Sequence, residues 1–227
     1  MRTHTLSLVV AFALLSPTAA RATVACPESH AQLVGFNNLF AVQGPVLDTT
    51  YTTSHAGFDL PAGTVAVSRA VGGVNWTRSI ATDDFDVTGV APGTPVAVIA
   101  EFEVDGYVSS PGCGGSGCGG YFQASLTQGA NSNAQQVTLP NPFAGGQVNL
   151  TQTLTLPVTI TAGSPLTIAF ELAVFVPAGG NAGGSGNGTI RFSGLPPGAN
   201  VVSCQGFGSA TTPARSTSWG RLKTHHR

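Results

Sequence analysis

The run Glu101-Phe102-Glu103-Val104-Asp105 alternates carboxylates with apolar residues. In an extended chain its three acids therefore project from one face, about 7 Å apart. Upstream, Asp84 and Asp86 flank Phe85, and Ala91 to Thr94 reads as a turn. That turn predicts an antiparallel return with Asp84 near Glu101 and Asp86 near Ile99. Three chemistries fit such a face. It is a solvated surface whose charges keep sheet edges from aggregating. It suits Ca²⁺, a hard cation that takes six to eight oxygens, with Asp84, Asp86, Glu101 and Glu103 as ligands. Or it holds a carboxylate pair for glycoside hydrolysis, which requires one raised pKa and groups about 5 or 6.5–9.5 Å apart. The solvated face is the reading adopted. No cofactor is expected, and Ca²⁺ is the one metal the residues would suit.

A second constellation surrounds Cys113-Gly114-Gly115-Ser116-Gly117-Cys118. Tyr107 and Tyr121 flank it almost symmetrically, with Asp105 and Gln123 two residues from each. If the flanking strands pair as a hairpin, a closed tip presents two rings and two polar groups to one side. Rings with a polar end, beside carboxylate and amide groups, are sugar-binding chemistry. The plainer expectation is that both tyrosines cap a core with their hydroxyls in solvent.

Other chemistries lack their residues. Zinc needs further paired knuckles, a redox pair reads C-x-x-C beside a βαβ pattern, and no G-x-S-x-G nucleophile motif occurs. Gly115 to Gly120 matches G-x-G-x-x-G, but no helix follows it. His30 and His55 stand singly, without an evident partner. Only two Trp and three Tyr are present, few for a long polysaccharide cleft, and the phenylalanines read as core. Asn75-Trp76-Thr77, Asn149-Leu150-Thr151 and Asn187-Gly188-Thr189 are glycosylation sequons only in a eukaryotic secretory context.

The compartment decides what the cysteines do. Arg2, the apolar run Leu6 to Leu15 and the sequence Ala20-Arg21-Ala22 have the layout of a secretory signal peptide over residues 1–22. Thr23-Val24-Ala25-Cys26 also resembles a lipoprotein site, although Thr stands where Leu is usual. An exported chain oxidises its cysteines in pairs. Four cysteines allow three connectivities, and spacing favours Cys113 with Cys118 and Cys26 with Cys204. The body, 23–208, sets ten acids against three arginines, a formal charge of −7, whereas 209–227 carries four basic residues and no acid. An acidic body is expected not to bind nucleic acid. No later apolar run approaches the ~20 residues of a membrane span.

The elements that must position these residues read as strands separated by Gly, Pro, Asn and Ser, with no amphipathic helix. About ten strands predict an all-β chain, a single antiparallel, jelly-roll-like β-sandwich over 23–208, followed by a flexible basic tail over 209–227. Pro157 within a long strand predicts an edge position or a break there, and Gly179 to Gly188 reads as a mobile loop. The segment Pro92 to Val104 aligns without gaps on Ala162 to Val174, a 70-residue echo in which a turn feeds a hydrophobic strand.

The signal peptide, the paired "GVAPGTPVAVIAEFEV" and "ITAGSPLTIAFELAV", and "FSGLPPGANVVSCQGF" resemble exported β-sandwich proteins of environmental bacteria, many of which carry a PEP-CTERM sorting tail. The likeness covers roughly residues 80 to 207. The chain departs from it at the end, where "TPARSTSWGRLKTHHR" has no Pro-Glu-Pro and no hydrophobic helix. That ending is similar to short basic Trp-Gly tails of other secreted bacterial proteins, and a sorting signal removed on export is one reading of it. The resemblance implies a cell-surface or matrix location without an assigned reaction.

The expectation is thus a secreted, non-catalytic module at the cell surface or in extracellular matrix. Extracellular polysaccharide or surface proteins are its expected partners, and weak carbohydrate recognition runs through Tyr107, Tyr121, Asp105 and Gln123. The alternative is a Ca²⁺-dependent glycan-active enzyme using Glu101, Glu103 or Asp84.

Overall fold

A computed structural model describes residues 26–33, 39–42, 44–51, 53–70, 76–111, 119–139, 145–177 and 181–208. The expected signal peptide, the pairing of Cys113 with Cys118 and the basic tail lie outside those residues. The described chain forms thirteen strands, β1 (Ser29–Gln32), β2 (Leu39–Val42), β3 (Val46–Tyr51), β4 (Ser54–Asp59), β5 (Thr64–Arg69), β6 (Trp76–Thr88), β7 (Pro95–Ser110), β8 (Tyr121–Gln128), β9 (Asn131–Thr138), β10 (Gly146–Thr161), β11 (Leu166–Phe175), β12 (Gly183–Ser193) and β13 (Asn200–Ser203).

They build two antiparallel sheets packed face to face. Sheet A runs β2-β1-β6-β11-β8-β9, with β13 also on β6, and sheet B runs β10-β7-β12-β5-β4-β3. The chain crosses repeatedly between the sheets from β6 onward, which makes the sandwich jelly-roll-like. The period of two that identified the strands also sets the layers. In β6 Thr77, Ser79, Ala81, Asp83, Phe85 and Val87 are buried while their neighbours are partly open, and β7 alternates in the same way. Between the sheets, Phe85, Phe102, Phe122 and Phe170 are fully covered. Phe102 and Phe85 both meet Phe170 edge to face, at 5.5 and 5.9 Å between centroids, the geometry that ring quadrupoles favour.

The 70-residue echo has a structural counterpart. Pro92-Gly93 and Ala162-Gly163 occupy the centres of two turns closed by Thr94 N–H to Ala91 O and Ser164 N–H to Thr161 O. Gly93 and Gly163 sit at φ of 81° and 82°, the left-handed value that the third residue of a type II turn requires. The turns also bond each other, Gly93 N–H to Ala162 O and Ala162 N–H to Thr94 O. One feeds β7, next to the edge of sheet B, and the other feeds β11, inside sheet A. Pro157 lies on β10, which pairs only with β7. An edge strand tolerates the missing N–H, as expected.

Three expectations about local connection are corrected. The turn after β6 does not make a hairpin with β7: β6 pairs with β1, β11 and β13 in sheet A, and β7 with β10 and β12 in sheet B. Nor do β7 and β8 form a hairpin across the Cys113–Cys118 segment, for β8 pairs with β11 and β9. Gly183 to Gly188 is strand, not loop. Gly184, Gly186 and Gly188 face inward, and a Cβ on Gly186 would stand 2.3 Å from the Phe122 ring, one on Gly188 2.1 Å from Phe102. The glycines are there to admit phenylalanines from the other strands.

Candidate functional site

The cross-sheet connections disperse the residues expected to act together. Asp84 and Asp86 project from the outer face of sheet A, Glu101 and Glu103 from the outer face of sheet B, so the four expected ligands straddle the sandwich. Each has a local partner. Thr167 Oγ1 donates to Asp84 Oδ1 at 2.5 Å and Gly163 N to Asp86 Oδ1 at 2.9 Å. Ser193 Oγ donates to Glu101, and Arg191 Nη2 lies 3.1 Å from Glu103 Oε2. Among the described residues no three of His, Cys, Asp and Glu converge closely enough to hold a metal ion. The tyrosines part in the same way, Tyr107 with Asp105 on sheet B and Tyr121 with Gln123 on sheet A.

On sheet B the outward residues of β10, β7 and β12 stand in register. Asn149, Tyr107 and Ser185 form one row, Thr151, Asp105 and Asn187 the next, then Thr153, Glu103 and Thr189. A groove opens on this face. Its volume is about 540 Å³, and Glu103, Asp105, Thr151, Thr153, Asn187 and Thr189 line it. That falls within the range of small-ligand sites. Tyr107 at its end is 36% exposed, one of the few large rings or apolar chains open to solvent. Asp105 is held by Thr151 Oγ1 at 3.0 Å, leaving its second oxygen unassigned to that bond. Three carboxylates, Glu101, Glu103 and Asp105, face one guanidinium, so the groove is acidic and repels polyanions. Farther along the same face His55 Nε2 lies 2.7 Å from Asp48 Oδ1, a partner invisible in sequence because β3 and β4 carry no strong strand pattern.

On sheet A the residues missed by sequence reasoning are Trp76, Phe175, Arg78 and Glu171. Trp76, Phe175 and Tyr121 form one outward row across β6, β11 and β8. Tyr121 and Phe175 stack at 5.1 Å, and Trp76 meets both at steeper angles, at 5.9 and 5.2 Å. In the adjoining rows Arg78 Nε and Nη2 donate to Glu171 Oε1 and Oε2 at 2.5 and 2.9 Å, the two-point geometry that suits guanidinium and carboxylate. Burial, with Glu171 nearby, pushes the Tyr121 phenol above its ordinary value, against a smaller opposing effect of Arg78. It remains a neutral donor at physiological pH. Phe175 was expected in the core, and only the pairing with β6 and β8 reveals its outward row.

The chain matches no protein-family model and no curated protein. Among the described residues no helix is long and apolar enough to cross a membrane.

Proposed function

We propose that the protein is an extracellular, non-catalytic recognition module of the cell surface or matrix, and that it holds carbohydrate in the outer groove of sheet B. The observation that carries this is the groove itself, lined by Asp105, Asn187, Glu103 and three threonines, with the exposed Tyr107 in the next row of the same face. A sugar ring has an apolar face for the tyrosine and hydroxyls for the carboxylates, amide and hydroxyl groups. The acidic lining favours neutral or amino sugars over acidic ones.

The test is a pull-down of the oxidised protein on insoluble polysaccharides, with a glycan array, in Ca²⁺ and in EDTA. Saturable binding retained in EDTA is expected, with Tyr107→Ala and Asp105→Asn each weakening it about tenfold. Binding indifferent to both substitutions removes the groove from the reading. Binding lost in EDTA returns the acidic face to a metal role, and turnover of the bound glycan that vanishes in Glu103→Gln makes the protein an enzyme.

A further inference from the structure

We infer that the outer face of sheet A is a second carbohydrate-binding surface, for a neutral pyranose chain, and that the module therefore joins two glycan strands across its thickness. The bivalence rests on the groove reading; the second surface stands on its own residues. Trp76, Phe175 and Tyr121 are large rings placed outside the core, where a sandwich gains most from such residues. None of the three belongs to the buried cluster between the sheets. Their centroids lie 5.1 to 5.9 Å apart in all three pairs, so the rings close into a compact cluster at the surface with Trp76 edge-on to the other two. Beside them, Arg78, Gln123 and Glu171 present planar donors and acceptors at the sheet surface, with Ala173 fully covered beneath them.

Two features choose the occupant. Arg78 and Glu171 neutralise each other through both donor–acceptor bonds, so the patch beside the rings carries no net charge to match an ionic ligand. The rings are each more than half covered, which leaves apolar area on the order of 200 Å². A stable protein interface takes about 800 Å² from each partner; a sugar ring or two needs no more than is present. The groove and this row lie on opposite outer faces of two sheets packed back to back, about 10 Å apart, so one glycan strand cannot occupy both.

Trp76 supplies the test, since it stands in the row itself. In a Trp219→Phe background it is the sole tryptophan, and its fluorescence reports this face. Titration with cellohexaose, xylohexaose and chitohexaose is expected to change the Trp76 signal for at least one of them, with a stoichiometry of about two sugars per chain by calorimetry. Tyr121→Ala with Gln123→Ala should weaken the fluorescence-detected event about tenfold and abolish turbidity with the matching polymer, while groove binding persists. Tyr107→Ala with Asp105→Asn should leave the Trp76 signal and remove the other site. Retention of the fold in each variant is checked by its thermal transition. A single site lost with the groove substitutions, and a silent Trp76, overturns this inference and leaves the groove reading intact. A responding Trp76 with groove substitutions that change nothing overturns the groove reading and keeps the second surface. No response to any of the three sugars at either site overturns both.

Discussion

Asp83 stands on the inner face of β6, fully covered. Gln205 N–H donates to both of its oxygens, at 3.3 and 3.1 Å, and Asp84 N–H to Oδ1 at 2.8 Å. Burial raises its pKa more than these bonds and Ser203 lower it. The native state therefore keeps the proton at pH values where the unfolded chain has released it. The unfolded state then binds fewer protons, so stability falls with rising pH across that window. The effect is absent below the ordinary carboxylate value and complete once the native carboxyl has ionised. Asp83→Asn cannot ionise and keeps an oxygen for the two N–H groups. Urea midpoints between pH 3 and 7 should show the wild type losing stability relative to Asp83→Asn as pH rises. A difference that stays flat means that Asp83 ionises without penalty. Nothing in the sequence marks this residue apart from Asp84 beside it; the alternation of β6 does, once its phase is known. Tyr107 and Asp105 were legible as neighbours on one face because a spacing of two on one strand guarantees it. Tyr121 and Gln123 were legible as a second pair for the same reason, but joining the pairs needed a strand pairing that one sequence does not contain.

At the scale of elements, period and turn chemistry carried most of the reading. The Pro-Gly and Ala-Gly turns, the long β7, β10 and β11, and the edge position announced by Pro157 all follow from local preferences. β12 was misread because glycine has two opposite uses, freedom in a loop and absence of a side chain in a packed strand. Gly184, Gly186 and Gly188 recur with period two, and that spacing was the available signal. Phe122 rests against Gly106 of β7 and Gly186 of β12, with a Cβ at either position only 2.3 Å from the ring. Gly186→Ala should accordingly cost about 1–3 kcal/mol by overpacking. Combining it with Phe122→Leu should cost less than the sum of the two single substitutions, because the smaller side chain vacates the space. Equilibrium denaturation of the three variants measures this, and strict additivity would show that the ring moves aside freely.

Over the whole molecule, fold class followed from composition, but which strand joins which sheet did not, since a short turn serves a hairpin and a crossing between sheets equally well. The long-range disulfide is the exception. Cys26 bonds Cys204 across a separation of 178 residues, with 5.7 Å between Cα atoms, as the cysteine spacing predicted. Its position explains its use. β1 pairs β6 at Arg78 to Ile80 and β13 pairs β6 at Phe85 to Thr88, so two four-residue strands share one edge and leave Ala81 to Asp84 between them. Ser29 Oγ and Gln205 Nε2 both donate to Thr82 O, Gln205 Nε2 also reaches Pro27 O, and Cys204 N donates to Asp84 O. The bridge thus closes a joint held by few backbone bonds, at which both ends of the folded body meet. In the chain-entropy account a loop of that length stabilises by about 5 kcal/mol, and loss of a native bridge commonly costs about 2–5. Cys26→Ala with Cys204→Ala should fall in that range by urea denaturation. The steepness of the transition should rise, because an unbridged unfolded chain exposes more surface. Hydrogen exchange should quicken first in β1 and β13, whose four residues each cannot hold the edge of β6 alone. A loss below about 1 kcal/mol with unchanged exchange would mean that the Gln205 and Ser29 bonds hold the joint by themselves, and that the disulfide adds little to its stability.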